Sequence, residues 1–469
     1  MKENIKISIC LLLPAIVVLL PLNSFGIEGL TIVEQRTIAI FLLAALLWVL
    51  EPIPIYATSI LIIVLELLTI STSSIVWLRS ASSDFGTLLP YKDIMSTFAS
   101  PIILLFLGGF FLALAASKYR LDLNLARVLL KPFGNKSSNL LLGIMAITAF
   151  FSMFMSNTAT TAMMLSIIIP VLNYFDPKDP GKIAFTLSIP LAANIGGIGT
   201  PIGTPPNAIA LKYLVGENAI SFSEWMLFGV PYVLILVLIG WVLLRQFFPS
   251  EKTEVALDIK GKFMKSKKAF IVYITFGFTV LLWLTDFVHG MNSYVVALIP
   301  VAVFLITGVV NKEDIKKLSW DVLWLVSGGI ALGLAIDKTG LATNLVNSIP
   351  FDSFAPFVII GISALLAAVM ANFMSNTATA NLLLPIMAAL GVSAAGLEAL
   401  GGVKTLVLGV ALAASMGMAL PISTPPNALA HASGAFETKH MAKVGIVTGI
   451  IGLVLIFLFL YLLRLVNFL

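Results

Sequence analysis

The heptapeptide Phe154-Met155-Ser156-Asn157-Thr158-Ala159-Thr160 recurs residue for residue at positions 373–379. Hydroxyl and amide side chains set in apolar sequence long enough to enter a bilayer need hydrogen-bond partners or a wet cavity. Each copy is followed by a second polar motif, Thr204-Pro205-Pro206-Asn207 and then Thr424-Pro425-Pro426-Asn427. Ser, Asn and Thr cap helix N-termini and proline suits the first helical position, so every motif predicts the start of a helix. Ser156, Asn157 and Thr158 open one helix and Thr204 a second, and Thr377 and Thr424 repeat the scheme. Four such starts, each with free N–H groups and a partial positive charge, make an anion site.

None of the four motifs contains Lys or Arg. An anion there must be held by hydroxyls, amides, backbone donors and co-bound cations. Gly203 and neighbouring carbonyls of an unwound backbone, with Ser152, Ser156 and Asn157, offer hard oxygen ligands suited to Na⁺. Two grips related by a repeat fit a substrate with two anionic ends, and a small dicarboxylate has that size. The plainer alternative is that these polar residues only glue helices together.

The elements that position the motifs follow from composition. The chain has 469 residues, of which 59% are hydrophobic and 11% charged, which excludes an ordinary soluble domain and predicts a polytopic membrane protein. One cysteine, Cys10, excludes a disulfide framework, and His289, His431 and His440 are too few and scattered for a transition-metal centre. The net charge of +5 sits in short loops between apolar spans, so membrane topology accounts for it and nucleic acid does not. Lys2 and Lys6 before an apolar stretch look like a signal peptide, but Asn23-Ser24-Phe25-Gly26 lacks a small-x-small cleavage site, so a retained first helix is expected.

Apolar runs predict eleven crossings, near 5–22, 31–50, 55–78, 101–130, 183–215, 225–248, 269–287, 293–310, 320–346, 403–436 and 443–466. Of these, 183–215 and 403–436 are broken by their Gly- and Pro-rich centres. The stretch 140–172, about 33 residues or about 50 Å as one helix, suits neither one crossing nor two. It predicts a re-entrant hairpin of two half-length helices, and 354–390 predicts another. The polar connection 249–268 carries Lys252, Lys260, Lys262, Lys265, Lys267 and Lys268.

The halves align at an offset of 219 or 220 residues: Gly108-Gly109 with Gly328-Gly329, Lys118 with Lys338, and both motif pairs with each other. This is an internal repeat. Five crossings separate the hairpins, an odd number that inverts the second copy, and the excess of Lys and Arg puts the N-terminus in the cytoplasm and the C-terminus outside. The glycine pairs are expected to be close-packing or helix-break sites.

These motifs resemble the divalent anion:sodium symporter family, bacterial dicarboxylate transporters, over essentially the whole chain. The resemblance implies an all-α membrane fold of inverted structural repeats, a homodimer in the cytoplasmic membrane, and elevator-type movement of a transport domain against a scaffold. The scaffold would be 1–130 and 269–350, the transport domain 131–248 and 351–469, with 249–268 as cytoplasmic linker. Carried over motif by motif, substrate contacts would be Asn157, Thr158, Thr204, Ser375, Asn376, Thr377, Thr424 and Pro425. A first sodium site would use Ser152, Ser156, Asn157 and Gly203, and a second Asn376 with backbone near Met374 and Ser423. The function implied is uptake of C4 acids or 2-oxoglutarate by Na⁺ symport or by exchange, with Na⁺ as coupling ion and no other cofactor.

Three departures bear on coupling. The repeat mate of Ser152 is Ala371, which removes a hydroxyl from the second cation site. His431 follows Asn427 by four residues and Lys212 follows Asn207 by five, so either could replace sodium charge in a sodium-independent antiporter. The plain reading is that Lys212 snorkels to the outer interface and His431 bonds between helices. Glu66, in an apolar run, is a candidate for proton coupling, or else a neutral or subunit-interface residue. An anion channel would need a continuous polar lining, whereas polar residues concentrate at one depth. An enzyme would need a nucleophile and base or a metal set, and no His/Glu or His/Asp pair has that spacing.

Overall fold

A computed structural model describes residues 3–172, 175–176, 178–255, 262–348, 354–394 and 396–469. Lys260 of the polar connection and the expected domain boundary at 350/351 lie outside the described residues. All extended elements among them are isolated bridges, and the rest of the ordered backbone is helical.

The first helices are α1 (Glu3–Leu19), α2 (Ile32–Leu50), α3 (Ile55–Thr69) and α4 (Tyr91–Ser96). A unit of seven follows: α5 (Pro101–Lys118), α6 (Leu121–Leu130), α7 (Ser137–Phe154), α8 (Asn157–Leu172), α9 (Gly181–Gly197), α10 (Pro205–Leu211) and α11 (Phe222–Phe247). After α12 (Lys267–Leu284), α13 (Asp286–His289), α14 (Ser293–Ile306) and α15 (Lys312–Ile315) the unit recurs. Its second copy is α16 (Trp320–Lys338), α17 (Leu341–Ser348), α18 (Pro356–Phe373), α19 (Asn376–Ser393), α20 (Gly402–Ala414), α21 (Pro425–Ala432) and α22 (Thr438–Leu465). Nine of the described helices, counting α4 with α5 as one, are long and apolar enough to cross a membrane. Six coincide with predicted crossings and three are hairpin legs; α1, α3 and α14 are shorter, at 17, 15 and 14 residues.

Two expectations change. The segments 101–130 and 320–346 are not single spans. The first bends at Arg120, whose φ is +55°, into the amphipathic α6, and the second bends at Gly340, φ +89°, into α17. The hairpin legs are not half-length: α7, α18 and α19 have 18 residues and α8 has 16. At 1.5 Å per residue they reach about 24–27 Å, against a hydrocarbon core of about 30 Å. The added length comes from ends that an apolar count omits, such as Ser137 and Ser138, where Ser137 N–H donates to Thr253 O at 2.9 Å and ties the hairpin to the polar connection.

Packing is crosswise between the copies. α5 packs on α14 and α16 packs on α3; α10 lies against α19 and α20, and α21 against α8 and α9. The glycine pairs make this possible. A Cβ on Gly108 would overlap Ala297 of α14 and one on Gly328 would overlap Ser59 of α3, so the first glycine of each pair seats a helix backbone to backbone. The second faces the motif-bearing helices: Gly109 lies against Ile202 and Gly329 against Asn381. Both helices run unbroken through their glycines, so close packing is their role. Exposed apolar side chains, Leu227 and Leu234 on α11, Phe270 and Phe278 on α12, Ile450 and Val454 on α22, form an outer face suited to lipid.

Candidate functional site

The two hairpin tips are two-residue turns, Met155-Ser156 and Met374-Ser375. Ser156 Oγ accepts from Ala159 N–H at 3.2 Å and Ser375 Oγ from Ala378 N–H at 3.1 Å. The serines therefore cap α8 and α19, and Thr377, expected as the second cap, instead sits buried in the first turn of α19. Of the two Thr-Pro-Pro-Asn threonines, Thr424 caps α21 by accepting from Asn427 N–H at 3.4 Å, while Thr204 makes no side-chain cap.

The Asn of each Thr-Pro-Pro-Asn has a role that sequence reasoning missed. Asn207 Nδ2 faces the carbonyls of Gly197, Ile198 and Thr200 at 3.0, 3.2 and 2.8 Å. Asn427 Nδ2 donates to Met418 O and Leu420 O, both at 2.9 Å. Each is a clamp that satisfies the carbonyls freed where a broken helix unwinds, groups that would otherwise be costly in a dry interior. Asn194 Nδ2 donates to Asn427 Oδ1 at 2.9 Å, which fastens the first broken helix to the second clamp. Its repeat mate is Ala414, so Asn207 Oδ1 is buried without a partner. The recurrence of Asn at the end of both Thr-Pro-Pro-Asn motifs, just after each helix break, was the available signal.

The first predicted cation set is brought together. Ser152 Oγ lies 2.6 Å from Asn157 Oδ1 and 2.7 Å from Ala193 O. A hydroxyl, an amide and a backbone carbonyl thus converge at Ser152, an oxygen-rich set of the kind that suits a hard cation. A Cβ on Gly197 would stand 2.7 Å from Asn157 Oδ1, 2.9 Å from its Nδ2 and 2.9 Å from Gly203 O, so the Asn157 amide and the Gly203 carbonyl meet over that glycine. Ser156 Oγ accepts the cap bond from Ala159 N–H and keeps a second lone pair. Thr200 donates to Met153 O and Trp225 Nε1 to Ile198 O at 3.0 Å, which fixes the loop against the hairpin and α11.

The second set is assembled differently. Asn376 Oδ1 is buried without a partner, as expected where Ala371 replaces the donor that Ser152 supplies to Asn157. Asn372, which sequence reasoning did not single out, makes the junction: its Oδ1 accepts from Ala419 N–H at 2.9 Å and its carbonyl from Ser423 Oγ at 2.9 Å. Met374 and Ser423 are buried. Of the predicted substrate contacts, Thr158 and Pro425 are exposed and Asn157, Ser375 and Asn376 half-buried, whereas Thr204, Thr377 and Thr424 are covered.

The two cationic candidates part company. His431 bonds Thr438 at 3.2 Å and packs on Phe436 at the turn into α22. Lys212 turns into the protein: its Nζ donates to Ile330 O of α16 at 2.5 Å and lies 5.2 Å from the Tyr213 ring.

A family described as citrate transporter matches residues 45–401. The sodium-dependent dicarboxylate transporter SdcS of Staphylococcus saprophyticus is 32% identical, over 98% of this chain and 91% of that protein. The protein of the same name in Staphylococcus aureus is 32% identical over 96% of this chain and 90% of its own length. Among solved structures, the YdaH transporter of Alcanivorax borkumensis, described as having an unusual topology, aligns with a TM-score of 0.55 over 92% of this chain and 98% of that one. At 13% identity that is a likeness of fold. The chain thus belongs to the citrate transporter family, of the divalent anion:sodium symporter type that its doubled motifs resemble, a family of transporters and not of enzymes.

Proposed function

We propose that this protein is a secondary active transporter that carries small dicarboxylates, C4 acids or 2-oxoglutarate, across the cytoplasmic membrane with Na⁺. Asn157, Thr158, Ser375, Asn376 and Pro425 would meet the substrate first, and Thr204, Thr377 and Thr424 would join as the site rearranges. Ser152, Asn157 and Gly203 would hold one sodium ion, and Asn376 with the Met374 and Ser423 backbone a second, weaker one. The motif-bearing helices, 131–248 and 351–469, would move as one body against 1–130 and 269–350 in a homodimer. The observation that supports this reading is the convergence of the Ser152 hydroxyl, the Asn157 amide and the Gly203 carbonyl beside an uncharged pair of hairpin tips. That arrangement calls for a cation before a dianion can bind.

The test is uptake of labelled succinate and 2-oxoglutarate into proteoliposomes, with an inward Na⁺ gradient in one set and only internal unlabelled dicarboxylate in the other. Accumulation driven by sodium in empty vesicles is expected. Uptake that needs internal substrate and ignores sodium would replace this reading with exchange. Unsaturable flux would replace it with a channel.

A further inference from the structure

Glu66 lies in the last turn of α3, fully buried, and among the described residues it is the one carboxylate buried with neither oxygen hydrogen-bonded. A lone ionised carboxylate in such a place is expensive, so it is either protonated or matched by a nearby cation. The register of α3 against α16 identifies the cation. Tyr56 packs on Trp324 at 6.3 Å between ring centres, Ser59 lies 3.4 Å from Leu325 O, and Ser59 faces Gly328. The helices therefore run in the same direction, and Glu66, seven residues beyond Ser59, comes level with 333–335 of α16. Lys212 reaches the same level from α10, with its Nζ on Ile330 O and 2.8 Å from where a Gly333 Cβ would stand. Glu66 and Lys212 thus face the same turn of α16 from two sides, with no hydrogen bond joining them.

The other half of the molecule is the internal control. Gly108 meets Ala297 of α14 as Gly328 meets Ser59 of α3, and seven residues beyond Ala297 is Phe304, buried and apolar. The repeat mate of Lys212 is Ala432. Both charges occur on one side of the pseudo-symmetry and both are missing from the other, as expected if each accounts for the other.

The remaining charged groups on the packed elements are engaged or exposed. Arg36 donates to Thr69 O and Leu78 O at 2.8 and 2.7 Å, Glu34 accepts from Asn344 at 2.7 Å, Lys118 is bound to Asp314, and Lys404 donates to Phe468 O at 3.3 Å. Glu51, Lys92, Asp93, Asp321 and Lys338 are exposed. Tyr213, beside Lys212, has a buried hydroxyl without a partner.

We propose that Glu66 and Lys212 form a proton-linked charge pair between the stationary and moving helices, so that Glu66 takes up a proton from water whenever translocation withdraws Lys212. The proton returns to water when the pair re-forms. This rests on the moving-domain reading given above. Translocation is then faster at low pH, because the step that separates the charges needs a neutral Glu66. No sodium ligand is involved.

The test uses the full chain in proteoliposomes at saturating Na⁺, with equal pH on both sides, and fumarate, whose carboxyls are both ionised from about pH 6 to about pH 8.5. Wild-type uptake should fall as pH rises, by at most about tenfold per pH unit for one proton. The Glu66→Gln variant, which mimics the neutral acid, should transport at a rate independent of pH. A wild-type rate that is flat with pH, or a Glu66→Gln profile that follows the wild type, would overturn the proposal. A second measurement needs no transport: melting midpoints of wild type, Glu66→Gln, Lys212→Met and the double variant at one pH. Effects that fall short of additive support a pair, because each variant strands the other charge, and additive effects overturn it. Loss of fumarate uptake by the wild type would therefore count against the transport reading while the melting comparison still decides the pair.

Discussion

Gly197→Ala should weaken the sodium response without unfolding the protein. The added Cβ would stand 2.7 Å from Asn157 Oδ1 and 2.9 Å from both its Nδ2 and Gly203 O. Non-bonded heavy atoms rest at about 3.3 Å or more, so the amide and the carbonyl must each retreat by about half an ångström. Cation sites tolerate about 0.2 Å. Crowding costs about 1–3 kcal/mol, and a loss of about 1.4 kcal/mol from cation binding raises the half-saturating Na⁺ concentration about tenfold. Gly109→Ala is the control, since its Cβ would meet Ile202 at an ordinary 3.6 Å, also inside an apolar helix. The assay is succinate uptake against Na⁺ concentration, with melting midpoints for all three proteins. A half-saturating concentration in Gly197→Ala within twofold of wild type would refute the reasoning, as would Gly109→Ala matching its defect.

Three other outcomes are expected. Asn427→Leu strips the donors from Met418 O and Leu420 O and the acceptor from Asn194; at about 1–3 kcal/mol for each unsatisfied group, its melting midpoint should fall well below that of Asn194→Leu. Ser152→Ala gives the first cation set the composition that Ala371 already gives the second, and sodium titration of uptake should shift upward by about tenfold. Lys118→Met removes the partner 2.5 Å from Asp314, a half-exposed pair worth about 1–2 kcal/mol. Burial alone would raise the Asp314 carboxyl, but bonds from Lys118 and Asn311 outweigh it and hold it below the ordinary carboxylate range. The stabilisation is thus present at neutral pH and lost as pH falls below about 4, and acid melting curves of Lys118→Met should show less of that loss than wild type.

The doubled motifs, their offset and the glycine pairs were legible in the sequence because each is a break in an apolar background, and a break carries a position. The bend at Arg120 was not. Tyr119-Arg120-Leu121 contains neither Gly nor Pro, and a non-glycine residue at positive φ leaves no mark on an apolar count. Hairpin length was misjudged because polar ends such as Ser137 and Ser138 extend a helix without extending its apolar run. The clamps of Asn207 and Asn427 were hidden for another reason. Both lie inside the motif that suggested a ligand site, and only the coordinates reveal that their amides serve the protein's own carbonyls. Lys212 stood out by its position but its partner did not, since nothing in the sequence says that α16 carries a carbonyl and a glycine at its reach.

What the repeat leaves unequal is as informative as what it duplicates. The hairpin caps, the broken helices and the clamps are the same in both halves, as a grip on a two-ended anion requires. The inequalities lie elsewhere: Ser152 against Ala371, Asn194 against Ala414, Glu66 against Phe304 and Lys212 against Ala432. These four place the extra polar group with the first repeat, while Asn372 against Met153 and His431 against Leu211 place one with the second. A molecule symmetric in every respect would bind its ions and its substrate with equal affinity from either side, and gradients alone would set direction. Under the moving-domain reading, polar groups without a counterpart would make the two end states unequal in energy, among them the carboxylate and ammonium at the α3–α16 level and the Ser152 hydroxyl. The duplicated residues are where recognition should be tested, and the unmatched ones are where coupling should be sought.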